Sequence, residues 1–594
     1  MNKKIKISAG VIILATSVLI ISSHWNDTPV VDEIPHIGAG YSYLVKQNMR
    51  LNPEHPPIAK DLAAIPLLFM NIERGVFKNP YWLGDITPTS QWAVGKILLY
   101  QPGNDPDNIL HWARLPMLLF FLSSAILIFK WGYKLYGKIG AYTALILFSF
   151  SPGVLAHSGL VTTDIAALTG ILFAVYFFMK YLKEQTNKNL IVTGLVLGGA
   201  LLTKFSALLL IPFFILLMVI YGLTEPAVLI RHKIRNLKKR LLALLAIFMV
   251  ALFIIVWPAY LFHVLNYNPI QQSRDIQIIL SGFNKYWWAN ALVWMSDKPL
   301  LRAGSHYMLG FIMIGNRIFT AAPTYFLGKI SPSGPGYFPL IYFLKEPLPW
   351  LILATTSILF TFWQLRFRKN SNPQSAAQRK SWIQDHFEEF GIILWLVAYW
   401  SISISSRLNI GIRHLLPIYP FSILLASGQL VRISNFVKRS GPVLSRLFFV
   451  CLISLLGWYL FESLRARPNY LSYFNQVAGG PSGGYRYVVD SNLDWGQDLK
   501  RFAQWVNDNS ISKIELDYFG WASIEYYLGV KFVKLRPNQY KDAQDFVQHN
   551  QSNGWLAISA TAFLQQSRTS YRWLDFYKPV AKIGNSIWVW HIEE

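Results

Sequence analysis

Two short acidic clusters follow the first apolar run of the chain, and both contain residue types that can move protons. Asp32 and Glu33 are adjacent in "VDEIPH", and Glu54 and His55 stand between prolines in "NPEHPP". The prolines restrict the backbone and so fix the direction in which Glu54 and His55 point. The adjacent carboxylates are suited to general-base catalysis; a solvated or capping pair at a helix end is the alternative.

The composition is that of a polytopic membrane protein. Of 594 residues, 53% are hydrophobic and 14% are charged, and many uncharged runs reach membrane-spanning length. The formal net charge of +24 comes mostly from basic clusters between apolar runs. The positive-inside rule explains this pattern better than a nucleic-acid site does. The one cysteine, Cys451, lies in an apolar run, which argues against a disulfide framework or a cysteine-based metal site.

Eleven membrane helices satisfy the charge distribution, with the N-terminus on the cytoplasmic side. Three lysines precede the first run, and no convincing signal-peptide cleavage site follows it. Every strongly basic loop, including 231–240 and 366–380, then falls on one side. The predicted spans are 7–23, 112–128, 139–156, 165–178, two helices within 190–222 that meet near Lys204, 241–262, 339–360, 391–406, 414–430 and 447–463.

The predicted fold is therefore a polytopic α-helical membrane domain followed by a soluble domain. Residues 1–463 form the membrane domain, with outer loops 24–111 and 263–338. Residues 464–594 contain few long apolar runs. In this region "KIELDYF", "WLAISA" and "SIWVWHI" are typical of strands, and 497–506 is typical of an amphipathic helix. We expect a small mixed α/β domain on the outer face.

On this topology the polar side chains near the membrane collect on the outer side. Such side chains are costly near a bilayer and mark functional sites. They are Asp32, Glu33, His36, Glu54, His55, Lys60, Asp164, Lys204, Arg302, His306, Arg407, Arg413 and His414. A transporter more often buries such groups at mid-membrane within broken helices. Their position favours a site that acts on a molecule presented at the membrane surface, and "IAKDLAAIPLLF" is typical of an interfacial helix beside it.

Seven motifs follow one another along the chain. The first is Asp-Glu after the first span, followed by the "HPP" turn and the interfacial helix. The others are "HSGLVTTDIAALTG", "GLVLGGALLTKFSALLL", "GYFPLIYFLKEPLPWLIL", "GIRHLLPIYPF", "NYLSYFNQVAGGP" and "DSNLDWGQDL". Taken in order, these motifs resemble those of the GT-C-type polyprenyl-phosphate-dependent glycosyltransferases. They are most similar to bacterial members of the protein O-mannosyltransferase and aminoarabinose transferase families. The chain departs from relatives in having Arg413-His414 for Arg-Tyr, and Glu54-His55 for Glu-Lys. It also lacks the lumenal trefoil domain of eukaryotic mannosyltransferases.

The resemblance implies transfer of a sugar from a polyprenyl-phosphate carrier to an acceptor hydroxyl group. One displacement with one base implies inversion at the anomeric carbon. Asp32 is the first candidate for the base, and Glu33 is the second candidate or a positioning partner. Asp164, in "TTD", is expected to orient the acceptor or the sugar; a helix-capping role is the alternative.

The leaving phosphate implies cationic side chains in the site. Arg413 is the first candidate because a guanidinium group binds phosphate oxygens as a fork. Lys204, Arg302 and Lys345 are further candidates. For the two lysines the alternative is snorkelling to the membrane surface, and for Arg302 it is a surface position near anionic lipid headgroups.

The sequence requires no cofactor. Glu54, His55 and His414 are predicted to position the substrates. Glu54 and His55 are also the candidate ligands of a divalent metal. The histidines that could complete such a site are His36, His263 and His306. No spacing here is a metal signature, and a structural role in hydrogen bonding is the alternative.

The motif "DSNLDWGQDL" in the C-terminal tail has two interpretations. Asp490, Asp494 and Trp495 could reach the acceptor. Alternatively, Asn492 or Asp494 caps the helix predicted at 497–506.

The expected partners are a polyprenyl-phosphate-linked sugar donor, an acceptor protein, lipid or glycan, and the lipid bilayer, without nucleic acid. The predicted location is the bacterial inner membrane, with the C-terminal domain periplasmic. Two other functions stay open. One is a lipid-linked glycan flippase or transporter. The other is a polysaccharide ligase or polymerase, which would use outer arginines and a histidine such as Arg413 and His414.

Overall fold

The structure is a computed structural model that describes residues 1–224, 230–282, 287–320, 323–332, 334–368, 383 and 385–593. Its α-helices up to residue 320 are Lys3–Ser23, Glu33–Lys46, Ile58–Ala64, Pro80–Leu83, Ser90–Tyr100, Pro106–Arg114, Leu118–Ser149, Pro152–Ser158, Thr163–Lys183, Asn187–Leu201, Leu210–Thr224, Ile230–Val250, Trp257–His263, Pro269–Leu280, Trp287–Ser296 and Arg302–Thr320. The later α-helices are Tyr337–Lys345, Leu348–Arg368, Phe387–Ser405, Tyr419–Ser440, Pro442–Arg465, Leu499–Asp508, Ile524–Leu528 and Ala543–His549.

Within the described residues, nine helical stretches are long and apolar enough to cross a membrane. One of them, Pro106–Ser149, contains the predicted span 112–128 and the first part of the span 139–156, and its helix departs from helical geometry at Gly137, where φ is +70°. A positive φ suits glycine, which has no Cβ. The predicted span beginning at residue 190 corresponds to Asn187–Leu201, a helix of 15 residues, which is short for a bilayer. The predicted number of eleven stays a prediction.

Ion pairs at the start of helix Phe387–Ser405 join it to basic side chains of neighbouring helices. Glu388 accepts from Lys183 at 2.7 Å and from Lys134 at 3.0 Å. Arg432 pairs with Glu389 at 3.0 Å. Helix Thr163–Lys183 has 21 residues, so Lys183 lies about 30 Å from the start of that helix. Lys369, Arg379 and Lys380 of the predicted basic loop 366–380 lie outside the described residues.

The C-terminal region contains one mixed sheet. The strands of the chain are β1 Thr324–Phe326, β2 Lys329–Ser331, β3 Ile514–Asp517, β4 Phe532–Lys534, β5 Trp555–Ser559, β6 Ala581–Ile583 and β7 Ile587–His591. The sheet has the order β4-β3-β5-β7-β6. Strand β3 is parallel to β4 and β5, and β7 is antiparallel to β5 and β6. Strands β1 and β2 form a separate antiparallel pair.

The helix Leu499–Asp508 packs its apolar face on this sheet. Leu499, Phe502 and Val506 are buried against a cluster that includes Ile514 and Val589. Their spacing of three and four residues places them on one side of the helix. The predicted fold class, a helical membrane protein with a C-terminal mixed α/β region, is thereby confirmed.

Candidate active site

A cavity of about 590 Å³ lies where several membrane helices begin or end. The helix Thr163–Lys183 begins at it, and the turn before Leu210–Thr224 contributes to its wall. Its charged and polar lining includes Asp32, Glu54, His55, Lys204, Arg413 and His414. Its apolar lining includes Phe205, Leu208, Leu209, Phe311, Ile314 and Ile318. The cavity therefore has both a charged wall and an apolar wall.

Two cations and two carboxylates alternate in a cluster at the cavity. Arg413 Nη1 lies 2.7 Å from Asp32 Oδ2 and 3.6 Å from Asp164 Oδ2. Lys204 Nζ donates to Asp164 Oδ1 at 2.6 Å. Since an unpaired buried charge is costly, each ion in the cluster stabilises its neighbours. The structure thus brings together four side chains that are far apart in sequence.

Asp164 does not cap its helix. The N-cap position of Thr163–Lys183 is Thr162, and no side-chain cap hydrogen bond forms there. Asp164 follows in the first turn, where the positive end of the helix dipole stabilises a carboxylate. Its two oxygen atoms face Lys204 and Arg413 instead of the backbone. The capping alternative for this residue is therefore wrong.

Asp32 stands immediately before the helix Glu33–Lys46, and its side chain makes no cap hydrogen bond. Burial alone would raise the pKa of this carboxyl group. The attraction of the Arg413 guanidinium group is the largest effect that opposes burial, and the pKa lies below its usual value. Asp32 is therefore ionised, with its negative charge matched by Arg413.

Glu33 points away from the cavity into a closed polar cluster. Its side chain is 0% exposed and lies 2.6 Å from Arg114 Nη2. Its two oxygen atoms also accept the backbone N–H groups of Val30 and Val161 at 2.9 Å each. These bonds tie the segment before Asp32 to the loop before Asp164. Glu33 is therefore placed to hold the two loops together, and Asp32 is the carboxylate that faces the cavity.

We expect Arg114→Ala to destabilise the protein by about 3–5 kcal/mol, because it leaves the buried Glu33 carboxylate without its cation. Thermal unfolding of the purified protein in detergent measures the change. The matched control is Arg274→Ala, since Arg274 pairs with Asp85 at the surface, where both side chains are about half exposed, and such a pair contributes less than about 1 kcal/mol. Equal losses in the two variants would contradict the assignment of Glu33.

Two of the predicted phosphate ligands lie outside the cavity. Arg302 donates to Gln272 Oε1 at 2.8 and 3.0 Å and also contacts the Tyr267 carbonyl oxygen. Lys345 donates to the carbonyl oxygens of Leu471 at 2.8 Å and Asn492 at 2.5 Å. Both residues are buried, so neither the surface nor the snorkelling alternative applies to them. Because Arg413 and Lys204 line the cavity and these two residues do not, Arg413 and Lys204 remain the phosphate candidates.

Lys60 holds the "NPEHPP" turn through hydrogen bonds to its backbone. Its ammonium group donates to the carbonyl oxygen of Asn52 at 2.9 Å and to that of His55 at 2.6 Å. Burial lowers its pKa to about 7, although Asp61 and Glu54 oppose the shift. The short helix Ile58–Ala64 that carries Lys60 was predicted to lie in the membrane interface. This lysine lies on a face of the helix that is buried against the turn, and the position of the helix in the interface stays a prediction.

Glu54 and His55 reach the cavity with different partners. Glu54 pairs with Arg317 at 3.2 Å, a residue that sequence reasoning missed. His55 contacts His36 edge to face, with ring centroids 5.4 Å apart. His36 bonds the Val161 carbonyl oxygen through Nδ1 at 2.8 Å, and burial lowers its pKa to about 4, so this imidazole is neutral at pH 7.

Among the described residues, no group of three or more His, Cys, Asp or Glu side chains is arranged to hold a metal ion. The predicted third ligands point elsewhere. His263 bonds Asp61 at 3.0 Å, and His306 bonds the Met49 carbonyl oxygen at 2.9 Å. Glu54 and His55 therefore do not form a complete metal site with either of them. His414 lines the cavity, and its role in positioning the substrates stays a prediction.

The C-terminal tail reaches the cavity through "DSNLDWGQDL". Asp490 and Trp495 line it. Burial raises the pKa of Asp490 to about 6, against the lowering effect of Arg413. Asn492 and Asp494 do not cap the next helix, because the cap position is Asp498. Asn492 accepts the Ile412 N–H group at 2.9 Å instead, so the capping interpretation of this motif is wrong.

Comparison with known proteins gives one family and several solved folds. Residues 108–257 match the dolichyl-phosphate-mannose-protein mannosyltransferase family. No curated protein matches the chain in sequence. The Pmt1-Pmt2 protein O-mannosyltransferase complex of S. cerevisiae, solved with its sugar donor, superposes with a TM-score of 0.52 at 14% identity. That alignment covers 90% of this chain and 96% of the yeast chain.

Two further structures match at lower TM-scores. ArnT from Cupriavidus metallidurans, solved with undecaprenyl phosphate, gives 0.45 at 12% identity, over 98% of this chain and 97% of that chain. The oligosaccharyltransferase AglB from Archaeoglobus fulgidus, solved with an inhibitory peptide and a dolichol-phosphate, gives 0.47 at 10% identity, over 95% and 72%. The family match thus covers residues 108–257, and the chain as a whole shares the fold of the yeast complex.

Proposed function

We propose that the protein transfers a sugar from a polyprenyl-phosphate carrier to an acceptor hydroxyl group, with inversion. The observation that carries this proposal is the ionic cluster of Asp32, Arg413, Asp164 and Lys204 beside an apolar lining. A carrier of this class has an anionic phosphate and a hydrocarbon chain. The cations suit the phosphate, and Phe311, with the other apolar side chains, suits the chain.

Donor binding changes the partner of Arg413. In the free protein its guanidinium group is occupied by Asp32 at 2.7 Å. A phosphate bound as a fork to Arg413 competes with that contact. Asp32 then loses the cation that holds its pKa down and becomes a stronger base. The site is therefore most basic when the donor is present.

In the proposed reaction the acceptor oxygen forms a bond to the anomeric carbon as the bond from that carbon to the phosphate oxygen breaks. Asp32 takes the hydroxyl proton. Arg413 and Lys204 stabilise the charge that develops on the leaving polyprenyl phosphate. Asp164 holds both cations in place, and Glu54, His55 and His414 position the sugar and the acceptor.

The proposed setting is the outer face of the bacterial inner membrane. Residues 1–463 form the membrane catalytic domain and residues 464–594 the periplasmic domain, with the N-terminus in the cytoplasm. The basic helix ends around Glu388 support this orientation, since basic loops stay on the cytoplasmic side. The acceptor is a protein, a lipid or a glycan.

We expect the acid limb of kcat to lie at higher pH than the acid limb of kcat/KM for the donor. The free-enzyme pKa of Asp32, lowered by Arg413, governs kcat/KM, and the raised pKa in the donor complex governs kcat. Activity should rise with pH through both limbs as Asp32 ionises. Asp490 is a second carboxyl group that lines the cavity. Measuring both profiles in the Asp490→Asn variant as well distinguishes the ionisation of Asp32 from that of Asp490. Coincident limbs would contradict the exchange of partners at Arg413.

The direct test supplies the purified full-length protein with radiolabelled polyprenyl-phosphate sugars and cell-envelope acceptors. Label should move to an acid-stable product and leave free polyprenyl phosphate. A deletion strain should in parallel accumulate one polyprenyl-phosphate sugar and lose one glycosylated product. Vesicle experiments that show movement of the lipid-linked sugar across the membrane without cleavage would instead support a flippase.

A further inference from the structure

The segment 490–498 belongs to the C-terminal region but holds the loop that carries Asp32. The backbone N–H group of Val31 donates to the Trp495 carbonyl oxygen at 3.0 Å. The N–H group and the hydroxyl group of Thr28 donate to two further carbonyl oxygens of the segment, at 2.9 and 2.7 Å. Because Val31 directly precedes Asp32, these bonds fix the backbone from which the carboxylate projects.

The same segment also holds the loop that carries Arg413. The Ile412 N–H group donates to Asn492 Oδ1 at 2.9 Å, and the Ser491 hydroxyl group donates to the Ile410 carbonyl oxygen. Both contacts lie directly before Arg413 in the chain. The segment is therefore fastened to the two loops whose charged side chains meet in the cavity.

The ring of Trp495 covers one face of the Arg413 guanidinium group. The carbon at the centre of that group lies 4.1 Å from the ring centroid, and Trp495 is 1% exposed. Stacking on an aromatic face leaves the N–H edges of a guanidinium group free to bind oxygen atoms. Among the described residues, Arg413 Nε has no hydrogen-bond partner. The arginine is thus held flat with a buried donor still available.

We propose that Trp495 is a positioning residue that holds the Arg413 guanidinium group, through its ring face, in the orientation that binds the donor's phosphate. This inference rests on the proposed function. It makes the C-terminal region a part of the donor site. The opposing interpretation is that Trp495 only fills the core, in which case its loss lowers stability without affecting donor binding selectively.

The experiment measures binding of undecaprenyl phosphate to the full-length protein in detergent, together with donor KM and kcat. Trp495→Met removes the ring face but keeps an apolar side chain, and should weaken binding and raise donor KM roughly tenfold with little change in kcat. Trp495→Tyr and Trp495→Phe should give smaller losses, because each keeps a smaller ring face. Should the methionine variant not fold, these two carry the test.

The matched control is Trp590→Leu, since Trp590 is also buried in the C-terminal region, in β7, where it donates to the Tyr577 carbonyl oxygen at 3.1 Å. It should lower thermal stability while leaving donor affinity unchanged. Wild-type affinity in all three Trp495 variants, or equal loss in Trp590→Leu, would overturn the inference. Failure of the wild-type protein to bind undecaprenyl phosphate would instead refute the proposed function on which the inference rests.

Discussion

Asp32→Asn should lower the rate of sugar transfer by about 10²–10⁴-fold, because the amide cannot accept the acceptor proton. The substitution keeps the shape of the side chain, so the cavity should remain intact. Donor affinity should stay the same or increase, since Arg413 loses a competing carboxylate. Single-turnover transfer of a labelled sugar from a polyprenyl-phosphate donor, measured with the purified variant, checks the prediction.

The control for Asp32 is Asp85→Asn, which removes an exposed carboxylate that pairs with Arg274. Its transfer rate should equal that of the unmodified protein. A second comparison is Asp32→Glu, which keeps a base in a displaced position and should retain more activity than the amide. Normal single-turnover transfer by a well-folded Asp32→Asn protein would refute the assignment of Asp32 as the base.

Arg413→Ala should weaken donor binding by about 30-fold or more, because truncating one partner of a buried, hydrogen-bonded charge pair costs 2–5 kcal/mol in comparable sites. The donor affinity of Arg413→Lys should lie between that of Arg413→Ala and that of the parent protein, since an ammonium group keeps the charge without the fork. Equilibrium binding of polyprenyl phosphate in detergent gives the affinities, and thermal unfolding reports stability separately.

Arg407→Ala is the matched control, because Arg407 is an exposed arginine six positions earlier in the chain and is not part of the cavity lining. Its donor affinity should not change. If Arg413→Ala binds the donor as tightly as the parent protein, Arg413 does not bind the phosphate and its proposed role fails.

The membrane architecture could be predicted from the sequence because it depends on local properties. Long apolar runs and basic clusters are visible without knowledge of any contact. In the tail, β3, β5 and β7 were predicted from their apolar and aromatic residues. Strands β4 and β6 were not, since each has three residues, too few to show alternation. Their conformation depends on pairing with neighbouring strands.

The roles of individual charged residues could be predicted only in part. Asp32 and Glu33 are neighbours, and adjacent positions at a helix start point in different directions, so sequence alone cannot say which one faces the cavity. The ion pair with Arg114 holds Glu33 away from the cavity, and Arg114 lies 81 positions from Glu33. Lys345 and Arg302 share the signal of a cation near the membrane with Lys204, but their partners are carbonyl and amide oxygens supplied by distant segments.

Arg317 shows a signal that could have been used. It stands in the stretch "FIMIGNRIF", where a single arginine interrupts an otherwise uncharged run. Such a residue needs a partner of opposite charge, and the structure supplies Glu54 at 3.2 Å. Searching each apolar run for one isolated ion, and then pairing ions of opposite sign, would have placed Arg317 beside the "NPEHPP" turn.

The fastening of segment 490–498 to the Asp32 loop has a consequence for the life of the chain in the cell. The bond between Thr28 and Gly496 joins residues 468 positions apart. The ribosome makes Asp32 long before it makes segment 490–498, and contacts of such long range form late in folding. A half-made protein already inserted in the bilayer therefore has the carboxylate without its correct setting. Under the proposed function, a chain therefore cannot use carrier lipid before segment 490–498 has been made and has bound the Asp32 loop.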